Sequence, residues 1–117
     1  MDGLATILIF LQAMNRHVTI DCRLLALHEL VREKFLLDPA GVRSLAVRNL
    51  ARWRCRGADC EGYAQWVRIL ESASDRELAD ILVERSERAD ALRQSTPFTG
   101  VITQAERAAV FLEYSKT

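Results

Sequence analysis

Apolar residues in this chain recur three and four positions apart, in stretches bounded by a few glycines and prolines, and that spacing is the signature of amphipathic helices. After Thr19 and Asp21, read as N-terminal caps, Leu24, Leu27, Val31 and Phe35 form the inward face of a first helix. Asp38 and Pro39 mark the next start: an aspartate accepts from the free backbone donors of a first turn, and proline has no donor there to leave unpaired. Val42, Leu45, Ala46, Asn49, Leu50 and Trp53 share one face of this second helix, and Gly57 suits the left-handed position that follows it. Tyr63, Trp66, Val67 and Leu70 define a third helix, and Trp53 with Trp66 is expected to anchor the core.

Ser74 and Glu77 spell a capping box that opens a fourth helix. Its inward face is Leu78, Ile81, Leu82, Arg85, Ala89 and Leu92, with Ser86 as a place to break or bend. Pro97 and Gly100 end that segment, and Thr103 with Glu106 forms a second capping box ahead of Arg107, Val110, Phe111 and Tyr114. No alternating pattern is long enough to argue for a strand. The expectation is an all-α fold, a compact bundle of five to six short helices forming a single domain over residues 1–117.

The apolar run Leu4–Leu11 is too short to cross a bilayer and lacks a basic lead-in or a small-residue cleavage site, so it is expected to pack on the core as a helix. Met14 opens a stretch that reads as a complete protein by itself, which makes residues 1–13 alternatively an N-terminal extension docked on the fold.

Composition narrows the function classes. Half the residues are apolar and 27% are charged, the balance of a folding chain. Sixteen basic residues offset sixteen acidic ones, so no overall field draws the molecule to nucleic acid or to an anionic membrane. Any nucleic-acid contact has to be local, and no membrane partner is expected. Three cysteines, Cys22, Cys55 and Cys60, imply no disulfide framework and point to a reducing compartment, the cytoplasm. Cys55 and Cys60 lack a second pair, and His17, Cys22 and His28 are too widely spaced for a ligand set, so no metal and no cofactor are expected. The phosphate-cradling and hydrolase signatures are absent.

Charge is segregated along the chain. Arg43, Arg48, Arg52, Arg54 and Arg56 occur with no acid between Pro39 and Ala58, and Arg48, Arg52 and Arg56 fall four apart on one ridge. That ridge is a candidate to meet phosphates or an acidic protein. A helix-turn-helix usually reads DNA with its second helix, but here that helix holds Arg68 alone against Glu61 and Glu71. Asp75, Glu77, Asp80, Glu84, Glu87 and Asp90 outnumber Arg76, Arg85, Arg88 and Arg93 in the fourth helix, which can face the basic helix within the fold or across a homodimer. Phe98, Val101 and Ile102 surround the Pro97 and Gly100 turn, either tucked into the bundle as a plug or exposed as a contact for a partner.

Arg23 and His28 stand in an R-x4-H spacing within the first helix. The spacing resembles the Arg-to-His motif of the HEPN ribonuclease family, which is likewise all-helical and about this length. The match covers those two residues, and Leu24 stands where that family usually has a polar residue. The resemblance implies that His28 would act on a ribose 2′-hydroxyl or leaving group while Arg23 held the phosphate.

The reading these features favour is a small non-enzymatic helical interaction protein that binds and occludes a macromolecular partner, in the style of bacterial antitoxins, anti-CRISPR-like inhibitors or regulatory adaptors. A nucleic-acid-binding regulator using the arginine ridge and a HEPN-like ribonuclease are the alternatives.

Overall fold

The computed structural model describes the backbone of residues 3–58 and 60–115 and the side chains of residues 4–9, 18–58 and 60–114. The fold is all-α, in the order α1 (Gly3–Leu37), α2 (Pro39–Cys55), α3 (Glu61–Ser72), α4 (Asp75–Leu82), α5 (Glu87–Gln94) and α6 (Gln104–Ser115). No strand occurs among the described residues. The C-terminal half of α1 is the hub against which α2, α4, α5 and α6 pack, and α3 is held between α2 and α5. Val31 and Phe35 of α1 meet Val42, Ala46 and Leu50 of α2, Trp66 of α3, Leu78 and Leu82 of α4, Leu92 of α5 and Phe98 in one continuous buried cluster.

The helix boundaries follow the local chemistry. Asp38 accepts from the Gly41 amide at 3.1 Å and Pro39 fills the first turn of α2. Gly57 takes φ 87° just past the end of α2, and Gly100 takes φ 96° in the turn before α6, a region that strains any residue with a β-carbon. Both capping boxes form: Ser74 Oγ accepts from the Glu77 amide at 3.1 Å, and Thr103 Oγ1 accepts from the Glu106 amide at 3.1 Å. The carboxylates of Glu77 and Glu106 accept in return from the Ser74 and Thr103 amides. At Ser86 the chain breaks rather than bends, and its hydroxyl caps α5 by accepting from Ala89 N at 3.1 Å.

Four expectations are corrected. Thr19 and Asp21 do not start a helix: α1 runs unbroken through both for 35 residues, so it is not a short helix. No glycine or proline interrupts that stretch, and a continuing ladder satisfies more backbone groups than a break would. Arg85 is exposed instead of inward, because α4 ends at Leu82 and the helical phase restarts at Glu87, which turns Arg93 inward with Ala89 and Leu92. Trp66 is fully buried, with Nε1 donating to Leu92 O at 2.8 Å. Trp53 is only partly buried and leans on Tyr63 with ring centroids 5.4 Å apart.

The fourth correction concerns the apolar N-terminal run. Residues 4–9 are exposed, Leu4 at 77% and Ile9 at 65%, so this part of α1 projects from the body and does not pack on the core. The docked-extension reading of residues 1–13 falls partly outside the described residues, and from residue 3 the backbone is continuous with α1. The projection stretches the molecule to 56 × 30 × 26 Å with a radius of gyration of 16.3 Å. A compact chain of this length would have about 13 Å.

Candidate functional site

Three features of the surface and interior carry the chemistry: the arginine helix α2, the buried histidine of α1, and the projecting apolar half of α1.

The five arginines of α2 and its exit divide into two roles. Arg43 is structural. Its guanidinium donates to Leu70 O at 3.0 Å and Ala73 O at 2.8 Å, pairs with Asp75 at 3.1 Å, and lies over the Phe35 ring at 5.6 Å. It therefore closes the C-terminal end of α3, where helical carbonyls are left unpaired, and is withdrawn from the binding ridge. Arg48, Arg52, Arg54 and Arg56 are exposed, and none has a carboxylate partner among the described residues. Arg52 instead donates to Asn49 Oδ1 at 3.1 Å. Arg43 with Asp75 is the ion pair that joins α2 to α4, so the acidic fourth segment does not neutralise the rest of the ridge. Beside the ridge, Val47, Leu50, Ala51, Val67 and Leu70 line an apolar hollow of about 230 Å³ between α2 and α3, with Arg54 and Glu71 at its rim.

His28 and Arg23 each contact a different part of the fold. His28 is 2% exposed: Nδ1 donates to Leu24 O at 2.6 Å, and Nε2 accepts from the Thr96 hydroxyl at 2.8 Å. Thr96 Oγ1 accepts in turn from Phe98 N at 3.3 Å. Both ring nitrogens are thus committed to holding the Thr96 turn on α1. Burial pushes the imidazole down to about 4, against the Leu24 carbonyl that favours the charged form, and the nearby Arg93 charge adds to the lowering. His28 is therefore neutral at physiological pH and enclosed. Arg23 lies over the Phe111 ring of α6 at 5.6 Å. The two residues serve separate contacts, Arg23 on α6 and His28 on the Thr96 turn.

Phe98 is 3% exposed and meets the Trp66 ring edge-on at 5.3 Å, so the tucked-in reading holds for it and a partner contact by Phe98 is withdrawn. Val101 and Ile102 are partly buried against the same core. The plug is fixed by Asn49, whose Nδ2 donates to Pro97 O and Thr99 O, both at 2.9 Å. Lys34 clamps its far side, donating to Val101 O at 3.0 Å and pairing with Glu106 at 2.5 Å. Lys34, with the Thr103 cap, holds the Glu106 carboxyl at about 2, well below the usual range.

Sequence reasoning missed two things. Arg93 is buried at the α4–α5 break, with Nη2 on Asp90 at 2.6 Å and Nη1 on Leu82 O at 3.3 Å. Asp90 three residues earlier was the available signal. The larger omission is the projecting half of α1, where Leu4, Ile7, Leu8, Ile9, Val18 and Ile20 are exposed. On α6, Phe111 and Leu112 add exposed apolar surface. Among the described residues no helix is long and apolar enough to cross a membrane, and no three His, Cys, Asp or Glu side chains group to hold a metal ion. The His17 side chain lies outside the described residues, and Cys22, Cys55 and Cys60 are exposed free thiols.

No protein-family model matches the chain, and no similar curated protein and no similar solved structure was found.

Proposed function

We propose that this protein is a non-enzymatic helical interaction protein that binds and occludes a macromolecular partner. The observation that carries the reading is the projecting half of α1, a helix with apolar side chains on several of its sides and no place for them in the body. Apolar side chains exposed in such number on one helix mark a surface that a partner covers. An antitoxin, an inhibitor of a larger enzyme or a regulatory adaptor would each act by such docking. Affinity capture from the native cell tests the reading: wild-type protein should retain a specific partner that an Ile7→Asp, Leu8→Asp variant releases.

A second reading is supported by one specific observation. Arg48, Arg52, Arg54 and Arg56 stand exposed without carboxylate partners among the described residues, which is the condition of side chains available to phosphates. On this reading RNA or duplex affinity falls with added salt at a logarithmic slope of about −0.9 per phosphate contacted in a duplex, and an Ala variant at all four positions loses it. Affinity that ignores both salt and the four substitutions excludes the arginine surface.

A further inference from the structure

The projecting half of α1 carries a regular apolar register. Leu4, Ile7, Leu11, Met14 and Val18 follow one another at spacings of three, four, three and four in sequence, the repeat that keeps one stripe of a helix facing a partner helix. Leu4, Ile7 and Val18 of this set are exposed, and Leu8 flanks them. The stripe is not an extension of the core face. Leu27, His28, Val31 and Phe35, which α1 buries in the body, lie roughly a third of a turn round the helix from it. It runs instead along the outer side of α1 towards Cys22 and Leu25.

We propose that two copies of the chain pair through this stripe, with their α1 helices antiparallel over residues 4–18. The pairing rests on the interaction reading and names the partner as a second copy of this chain.

Area supports a second copy. The accessible surface is 8024 Å², whereas a monomer of 13.3 kDa is expected to expose about 6,450 Å². The surplus, on the order of 1,500 Å² per chain, is enough for a stable dimer interface to cover. Charge supports a protein over a lipid surface: no charged residue occurs from residue 3 to residue 15, whereas a helix lying in a membrane interface carries Lys or Arg along its polar face.

Orientation follows from the cleft where the stripe reaches the body. Val18, Asp21, Cys22 and Leu25 of α1 border a space of about 510 Å³ together with Glu29, Glu87 and Asp90, the last already paired with Arg93, and Arg85 is the cation among its described lining residues. Antiparallel pairing centred on residue 11 sets Leu4 of one copy level with Val18 of the other. The positive end of each α1 then arrives beside the acidic cleft of the second copy. Parallel pairing would place the two positive ends together and leave both clefts open.

Sedimentation velocity and disulfide trapping test this. Wild-type protein should sediment at twice the 13.3 kDa chain mass, and Ile7→Asp with Val18→Asp should halve that mass while Trp66 fluorescence stays that of the folded body. In a Cys22→Ser, Cys55→Ser, Cys60→Ser background, chains carrying Leu4→Cys should cross-link to chains carrying Val18→Cys and not to themselves. A wild-type monomer overturns the pairing, as does a dimer that survives the double substitution, and Leu4→Cys linking to itself overturns the antiparallel arrangement. Monomeric protein that floats with phosphatidylcholine vesicles overturns it in favour of a lipid surface. A wild-type monomer whose cellular partner is still lost on Ile7→Asp, Leu8→Asp substitution defeats self-pairing alone and leaves the interaction reading standing.

Discussion

Asn49 Nδ2 donates to the carbonyl of Pro97 at 2.9 Å and so ties the middle of α2 to a turn 48 residues away. The same nitrogen donates to Thr99 O, and Oδ1 accepts from Arg52, which leaves this buried amide satisfied on both sides. Asn49→Ala removes the donor and strands two carbonyls beside the Phe98 plug. Since an unpaired buried polar group costs about 1–3 kcal/mol, the variant should lose about 2–4 kcal/mol of stability, read as a lowered urea midpoint at unchanged slope. A loss below about 0.5 kcal/mol would mean that the turn holds itself.

That contact also shows what the sequence could and could not reveal. Capping boxes, the Asp38 and Pro39 start and the Gly57 exit were legible because their partners lie within a few residues, where spacing alone brings atoms together. Trp66, Leu82 and Leu92 were legible as core because helical period names the inward face. The role of Asn49 was not, since both of its acceptors belong to a segment that only the tertiary fold brings near. His28 and Thr96 are separated by 68 positions and share that limitation. For α1 the difficulty is different: its spacing was visible, but periodicity does not say whether an apolar stripe meets its own body or another chain.

Arg43 and Arg48 test the division of the arginine helix. Arg43→Ala leaves the last carbonyls of α3 without their donor and uncovers the Phe35 ring, so it should cost about 1–3 kcal/mol. Arg48→Ala touches exposed surface and should change stability by about 0.5 kcal/mol or less. Equal losses, measured by thermal or urea unfolding, would show that the two residues share one role.

Phe98→Ala separates plug from partner contact. The ring is enclosed against Trp66, so its removal should open a cavity and cost about 3–5 kcal/mol. An unchanged melting temperature would return Phe98 to the surface and revive it as a contact residue.

The His28 imidazole gives stability a pH dependence of defined sign. Its folded value of about 4 lies below the ordinary imidazole value of 6.5, so between those values the unfolded chain binds more protons at this site than the folded one. The contribution is fully present above about 6.5 and is lost as pH falls towards 4. At 1.36 kcal/mol per unit, it amounts to about 3 kcal/mol, with no discount for solvent because the ring is buried. The Glu106 carboxyl, depressed to about 2, loses its contribution only below about 4.5, as pH falls on towards 2, so the two windows meet only between about 4 and 4.5. His28→Gln should be less stable than wild type at neutral pH, because the Leu24 and Thr96 bonds are weakened, yet flatter between pH 6.5 and 4. Urea midpoints measured across that window for both proteins check the assignment, and parallel curves would place the titrating group elsewhere.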